Sequence, residues 1–192
     1  MLAAGVLLAL FYMLHPGGGD PPTLEAARHP LYFVEHLFGV ASLVLMLFGL
    51  EGARERQSAR LGLLGAIGFG LSFVGSALLL GVIFFDGYAS PILAANAPQL
   101  LAASGPFDTL PGYLPLTLVG VVWGVGVIAF GVASLRAGIL PRWGSWLLIV
   151  GSIVVNLPQQ RMGPASLLVI SLGAVAMGAG LAWWGYSIWL GP

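Results

Sequence analysis

The chain has 192 residues, of which 58% are apolar and 7% charged, and its formal net charge is zero. This composition differs from that of an average soluble domain, in which about a quarter of residues are charged, and it predicts several membrane crossings of roughly 20 residues each. Cysteine and lysine are both absent, which excludes thiol redox chemistry, cysteine-based metal sites and cofactors held as a lysine Schiff base. The arginines form no long basic run, so nucleic acid is not expected as a partner.

Apolar segments separated by Pro, Gly and Arg predict an all-α, polytopic integral membrane protein, with residues 1–192 forming a single transmembrane domain. We expect six transmembrane helices in one bundle. Their approximate spans are residues 1–15, 30–50, 61–85, 114–135, 143–157 and 164–190. The first segment is short for a crossing, but it lacks the basic start and the small-residue cleavage site of a signal peptide, so we interpret it as a helix of the bundle.

The segment between the third and fourth spans, residues 86–112, contains too many Pro, Asn and Gly residues for a crossing. Ser90 is suited to cap the start of a helix, Pro91 fits its first turn, and Gly105 is a typical terminator. The pattern therefore predicts a short helix that lies on the outer face of the membrane.

The distribution of arginine predicts how the chain is oriented. Residues 51–60 and 136–142 hold five of the seven arginines and have a net charge of +3, whereas the rest of the chain has a net charge of −3. Cytoplasmic loops are enriched in arginine, so both segments are expected inside. This places a multi-pass protein in the cell membrane with its amino and carboxyl termini in the cytoplasm.

In this orientation the outer half contains all three histidines and the ionisable pair Glu35 and His36. The pair follows Pro30 by five and six residues, hence by about 8 to 9 Å along a helix. Ionisable side chains at such a depth are costly unless they face the bundle or find partners, so both are candidate catalytic residues. The structural alternative is that Glu35 pairs with Arg28, with Arg161 or with a helix terminus.

A metal ion and a haem are the two cofactors that these residues suggest. Neighbours on a helix point about 100° apart, so Glu35 and His36 can share a metal ion only with a ligand from another segment, such as Asp86 or His15. A b-type haem would use His36 and His15 as axial ligands. No HxxxH or HExxH motif supports a metal site, and the leading expectation is that no cofactor is bound. Further polar candidates in the outer half are Asn156, Gln159 and Arg161.

The leading functional hypothesis is a non-catalytic membrane protein. It would be an accessory or structural subunit of a membrane complex, or it would bind an apolar ligand such as a lipid, a quinone or a pigment from the outer leaflet. The predicted helix midplanes carry no charge, so a charged transport pathway is not expected. An apolar ligand would enter a cavity lined by aromatic side chains, for which the candidates are Tyr32, Phe33, Phe84, Phe85 and Trp123.

The alternative hypothesis is a membrane-embedded metal- or haem-binding protein or enzyme with an outer-side site around Glu35, His36 and Asp86. Apart from the lipid bilayer, the expected partners are another membrane protein or a second copy of the chain. With its glycine-rich, lysine-free helices the sequence resembles small bacterial membrane proteins in general, and it indicates no particular family.

Overall fold

A computed structural model describes residues 1–16, 23–102, 105–107, 109, 112, 114–157 and 166–191. Within these ranges the chain is helical and contains no β-strand. The α-helices are α1 (Leu2–Leu14), α2 (Leu24–Ala27), α3 (Tyr32–Gln57), α4 (Gly62–Asn96), α5 (Leu114–Ala137), α6 (Arg142–Val155) and α7 (Ser166–Leu190). A single 3-10 turn, Pro98–Leu100, follows α4. The all-helical class predicted from the sequence is confirmed.

The six longer helices form a closed ring. Each of α1, α3, α4, α5, α6 and α7 packs against its neighbours in chain order, and α7 returns to pack against α1. The core of the ring is filled by large buried side chains from several helices, including Met46, Trp123, Phe130, Met177 and Trp184. The ring therefore brings α1, α3 and α4 side by side, and this placement builds the site described below.

Four of these helices, α3, α4, α5 and α7, are long and apolar enough to cross a membrane. The helices α1 and α6 have 13 and 14 residues, which at 1.5 Å per residue gives about 20 Å against a hydrocarbon core of about 30 Å. The structure thus confirms a helical protein with four candidate membrane spans, whereas six crossings remain a prediction.

Helix α4 is longer than the predicted third span. The sequence suggested an end near Phe85 and a separate helix from Ser90, but α4 continues through Pro91 to Asn96. Ser90 does not cap a new helix, because its hydroxyl donates to the Asp86 carboxylate one turn earlier. Proline within a membrane-embedded helix is tolerated when neighbouring groups satisfy the freed backbone. The boundary expected at Ser90 was wrong. Among the described residues after α4, the 3-10 turn is the one helical element before α5, so the short outer helix is not confirmed.

Helix α3 also extends beyond its predicted end at residue 50, because the arginine-rich segment is helical as far as Gln57. Gln57 is fully buried and donates from Nε2 to Ser134 Oγ on α5 at 3.1 Å. The chain reverses only at Gly62, whose φ of +61° favours glycine. Positive side chains in the last turn of a helix interact favourably with its dipole, which suits the position of Arg56.

Close approach of the helices depends on glycine. A Cβ added at Gly5 on α1 would overlap the carbonyl oxygen of Gly178 on α7, and a Cβ at Gly178 would overlap that of Gly5. A Cβ at Gly180 would lie 2.6 Å from the carbonyl oxygen of Gly144 on α6. Small residues at such contacts are the usual means of packing helices in lipid, where no hydrophobic force drives them together. These glycines therefore serve packing within the chain.

Candidate functional site

Ionisable side chains from three neighbouring helices meet at one end of the ring. His15 follows the last turn of α1, Glu35 and His36 lie near the start of α3, and Asp86 lies in the second half of α4. We call these four residues, with Tyr32, the polar cluster. The helices run antiparallel to their neighbours in the ring, so the end of α1, which carries His15, meets the start of α3, which carries His36.

Glu35 is the centre of the polar cluster, and only 1% of it is exposed. Its Oε1 lies 2.9 Å from His15 Nδ1 and 2.6 Å from His36 Nδ1. Its Oε2 is buried and has no hydrogen-bond partner within the described part of the chain. The position in the first turn of α3 favours the carboxylate, because a helix N-terminus carries partial positive charge.

His36 links Glu35 to Asp86 through its two ring nitrogens. Nδ1 also lies 2.7 Å from the backbone oxygen of Tyr32, and since a carbonyl can only accept, this contact requires a proton on Nδ1. Nε2 lies 3.3 Å from Asp86 Oδ2. The absence of a side chain at Gly87 lets His36 lie this close to α4. A Cβ at that glycine would overlap His36 Cβ and lie 2.8 Å from His36 Cγ.

Asp86 is the member of the polar cluster that is closest to the surface, with 15% of its side chain exposed. Its Oδ1 accepts the hydroxyl proton of Tyr32 at 2.9 Å, and it also accepts the hydroxyl proton of Ser90. Tyr32 is fully buried. The carboxylate is therefore fixed by three donors from α3 and α4 and has one face directed away from the cluster.

Aromatic rings lie close to His15 and His36. The Phe11 ring lies 5.6 Å from the His15 ring and 5.5 Å from the His36 ring, between centroids, and Tyr32 lies 4.4 Å from His36. The two histidine rings are themselves only 5.3 Å apart. Axial ligands of a haem iron lie on opposite faces of the porphyrin, and this spacing leaves no room for a porphyrin between the rings. The arrangement is better suited to a single ion than to a haem.

Beside the polar cluster, α4, the segment that follows it and the start of α5 line a partly open cavity of about 400 Å³. Its walls are apolar, and among the described residues that line it only Asp86 and Ser90 have polar side chains. The other lining residues are Leu78, Gly81, Val82, Phe85, Leu93, Leu101, Phe107, Gly112, Pro115 and Leu116. Of the aromatic side chains expected around a cavity, Phe85 lines this one. Trp123 instead donates to Ser76 Oγ at 3.1 Å, and Tyr32 belongs to the polar cluster.

Other predicted site residues lie apart from the cluster. Asn156 ends α6, donates from Nδ2 to Ser152 O at 2.9 Å and lies against Gly124 on α5. Arg28 donates to the backbone oxygen of Ala94 at 3.4 Å, so the partners of Glu35 are histidines rather than this arginine. Gln159 and Arg161 lie outside the described residues.

Two members of the site were not recognised as such in the sequence, although a signal for both exists. Tyr32 precedes His36 by four residues and Ser90 follows Asp86 by four, the spacing that places side chains on one face of a helix. The sequence assigned Tyr32 to a cavity wall and Ser90 to a helix cap. A continuous α4 would have identified Ser90 as a partner of Asp86.

Chemically, the site offers two imidazoles and two carboxylates in a largely buried, aromatic setting, next to an apolar cavity. Buried ionisable groups in membrane-embedded helices mark functional sites by default because their burial is costly. Comparison of the chain with protein-family models, with curated proteins and with solved structures finds no match. Functional interpretation therefore depends on the geometry of the polar cluster and the cavity.

Proposed function

We propose that the chain is a multi-pass membrane protein that binds an amphipathic, lipid-like ligand in the cavity between α4 and α5. The observation that carries the proposal is a cavity of about 400 Å³ with apolar walls and a polar group at one place, Asp86 with Ser90. Small-molecule sites typically have volumes of about 300 to 1,000 Å³ and combine apolar walls with a few well-placed polar groups. The apolar part of the ligand fills the cavity, and its polar head binds at Asp86.

The hydrogen bonds of Asp86 indicate which kind of polar head group the ligand has. Oδ1 already accepts protons from Tyr32 and Ser90, whereas Oδ2 receives one long hydrogen bond, 3.3 Å from His36 Nε2. A carboxylate oxygen has two lone pairs, so Oδ2 can accept a further donor. A head that donates an N–H or O–H, such as an amine or a hydroxyl, therefore fits, while an anionic head is repelled.

The ligand enters from the bilayer. Leu78 and Phe85, which line the cavity, are 49% and 59% exposed, and both belong to a helix long and apolar enough to span a membrane. Exposed apolar side chains on such a helix face lipid. A lipid-like molecule thus reaches the cavity laterally, without passing through water.

The proposal includes six crossings, with the polar cluster in the outer half of the membrane. The short helices α1 and α6 each pack between longer neighbours in the ring, which supports their spanning together with them. The turns that join α3 to α4 and α5 to α6 contain or adjoin five arginines and lie at the opposite end from the cluster. The preference of arginine for the cytoplasm then places the termini inside and the cavity in the outer leaflet.

The test uses one change that fills the cavity and a matched change that does not. Gly81 lines the cavity, and among the described residues nothing beyond its own stretch of helix lies within 4 Å of the place where its Cβ would be. Gly70 has the same open surroundings, but it is not among the lining residues. Gly81→Leu therefore fills the cavity with little strain, and Gly70→Leu adds the same side chain elsewhere on α4.

The measurement is photolabelling of the purified full chain by a long-chain amine that bears a diazirine, followed by mapping of the labelled peptides. We expect labelling on α4 and α5 around the cavity in the wild type and in Gly70→Leu, and its loss in Gly81→Leu. A fatty acid of the same length should label the cavity less. Equal labelling of the two leucine variants at these peptides would refute the proposal.

The same preparation addresses the accessory-subunit hypothesis. Gentle extraction followed by gel electrophoresis detects a chain that copurifies in a fixed ratio. Exposed apolar side chains along the spans are accounted for by lipid and do not in themselves require a partner. A stoichiometric partner together with unlabelled cavity peptides would replace ligand binding with a subunit role.

A further inference from the structure

Three side chains of the polar cluster offer ligand atoms close enough together to hold one ion. His15, Glu35 and His36 each present an atom, and these atoms lie within 4.8 Å of one another. Glu35 and His36 are adjacent on α3 and cannot complete a site by themselves. The structure provides the missing third ligand from α1, because His15 Nδ1 lies 2.9 Å from Glu35 Oε1.

The spacing of the ligand atoms suits a small transition metal ion. Zinc binds nitrogen and carboxylate oxygen at about 2.0 to 2.2 Å in tetrahedral geometry, which places neighbouring ligand atoms about 3 to 3.5 Å apart. The contacts of Glu35 Oε1 with the two ring nitrogens, 2.9 and 2.6 Å, approach this range. Side-chain shifts of less than about 1 Å would open the space for the ion.

The unpaired oxygen of Glu35 is an independent indication of a ligand. Glu35 is 1% exposed, and within the described part of the chain its Oε2 has no hydrogen-bond partner. Unsatisfied buried polar atoms are rare in native proteins, because a buried acceptor without a partner loses the free energy of its hydration. A cation bound at the carboxylate would compensate for this loss. Arg28, the cation that the sequence suggested as a partner, instead donates to Ala94 O at 3.4 Å.

The far side of the His36 ring shows a further feature of metal-binding histidines. A histidine that ligates a metal through one ring nitrogen usually donates its other N–H to a carboxylate or a carbonyl, which fixes the ring and raises its basicity. His36 presents Nδ1 to Glu35, and its Nε2 lies 3.3 Å from Asp86 Oδ2. Asp86 is in turn held by Tyr32 and Ser90, so the orienting group is itself fixed.

We propose that His15, Glu35 and His36 bind one divalent transition metal ion, with zinc as the expected occupant, and that Asp86 orients His36. Two imidazoles and one carboxylate suit zinc and related first-row ions rather than Mg²⁺ or Ca²⁺, which prefer oxygen, or Cu⁺, which prefers sulfur. Three protein ligands leave a fourth position of a tetrahedral ion for water or a ligand. The ion replaces the proton that His36 Nδ1 carries without metal.

The experiment is equilibrium dialysis of the chelator-treated full chain against Zn²⁺, with the bound metal measured by elemental analysis. We expect one zinc per chain in the wild type and in His29→Ala, which removes the exposed histidine outside the cluster. His15→Ala, His36→Ala and Glu35→Gln should lose binding. Asp86→Asn should weaken it by about 10- to 100-fold, as is typical for loss of an orienting partner.

His15→Ala is the decisive variant, because His15 lies after the end of α1, and its loss is less disruptive than a change inside α3. Far-UV circular dichroism of each variant establishes that the helices are intact. Less than one zinc for every ten wild-type chains, or full binding by His15→Ala, would overturn the proposal, as would equal loss in His29→Ala. The two sites share Asp86, but none of the three proposed zinc ligands lines the cavity, so Gly81→Leu should retain its zinc even where labelling by the amine fails.

Discussion

Replacement of Gly87 by alanine tests whether the close approach of α3 and α4 positions the polar cluster. The new methyl group would overlap His36 Cβ and lie 2.8 Å from His36 Cγ, whereas carbon atoms in contact prefer about 3.5 to 4.0 Å. Because Cβ is bonded directly to the backbone, no rotamer change of His36 relieves the overlap. The helices must therefore separate by about 1 Å, and Asp86, the neighbour of Gly87, moves away from His36.

Two unfavourable contributions and one favourable contribution determine the change in the free energy of unfolding of Gly87→Ala. Overpacking of this kind costs about 1 to 3 kcal/mol. The hydrogen bond from His36 Nε2 to Asp86 Oδ2 is already 3.3 Å long and would be lost, at about 1.5 to 3 kcal/mol for a bond to a charged group. Alanine in place of helical glycine returns about 1 kcal/mol. We expect Gly87→Ala to lower the free energy of unfolding by about 1.5 to 5 kcal/mol.

Thermal unfolding in detergent micelles, followed by circular dichroism at 222 nm, measures this effect. For a chain of this size the expected loss corresponds to a midpoint lower by about 3 to 20 °C. Gly81→Ala on the same helix is the matched control, since its Cβ would enter open space, and its midpoint should stay the same or rise. Equal midpoints for the two variants would show that the contact at Gly87 does not hold the cluster in place.

Two further predictions concern the ring and its orientation. Gly178→Val should separate α7 from α1 and lower the unfolding midpoint by more than Ala179→Val, because Gly178 is buried in that contact and Ala179 is exposed; equal effects would contradict the packing. Since the chain has no cysteine, single cysteines report topology: in intact cells an impermeant maleimide should label Glu25→Cys and not Ser58→Cys, and the reverse result would invert the orientation.

The positions of the helices were largely predictable because lipid imposes a strong constraint on sequence. Backbone groups in hydrocarbon must be satisfied within the segment, so each crossing appears as a long apolar run bounded by Pro, Gly or charge. The fourth predicted span, residues 114–135, agrees closely with Leu114–Ala137, and the last, residues 164–190, with Ser166–Leu190.

The extension of α4 was not predictable from local preference. Gly, Pro and Asn favour a break in this region, yet the helix is supported there by contacts from distant parts of the chain. Arg28 donates to the backbone oxygen of Ala94, and Ala94 packs with Ala27 and Leu101 in a small apolar cluster. Such long-range contacts override local helix propensity, and they cannot be recognised from the amino-acid sequence of one segment alone.

The polar cluster was predictable in its composition and not in its geometry. An ionisable pair within an apolar span is conspicuous in a sequence, and the shared side of the membrane brought His15 and Asp86 into consideration. Which of these two completes a set of ligands depends on helix rotation within the ring. The structure places His15 against Glu35 and Asp86 on the far side of His36. A cavity was expected from the sequence, but most of its lining could not be predicted, because apolar lining residues resemble those that face lipid.

Other parts of the ring pack closely without an ion pair. Gly178 and Gly180 bring α7 against α1 and α6 by backbone contact, with no ion pair among the described residues of α6 and α7. Replacing buried ion pairs by apolar residues of similar volume often stabilises a protein by about 1 to 4 kcal/mol. An apolar contact would therefore serve α1, α3 and α4 at least as well. The burial of Glu35, whose Oε2 has no partner among the described residues, therefore supports the proposed metal site rather than a purely structural role.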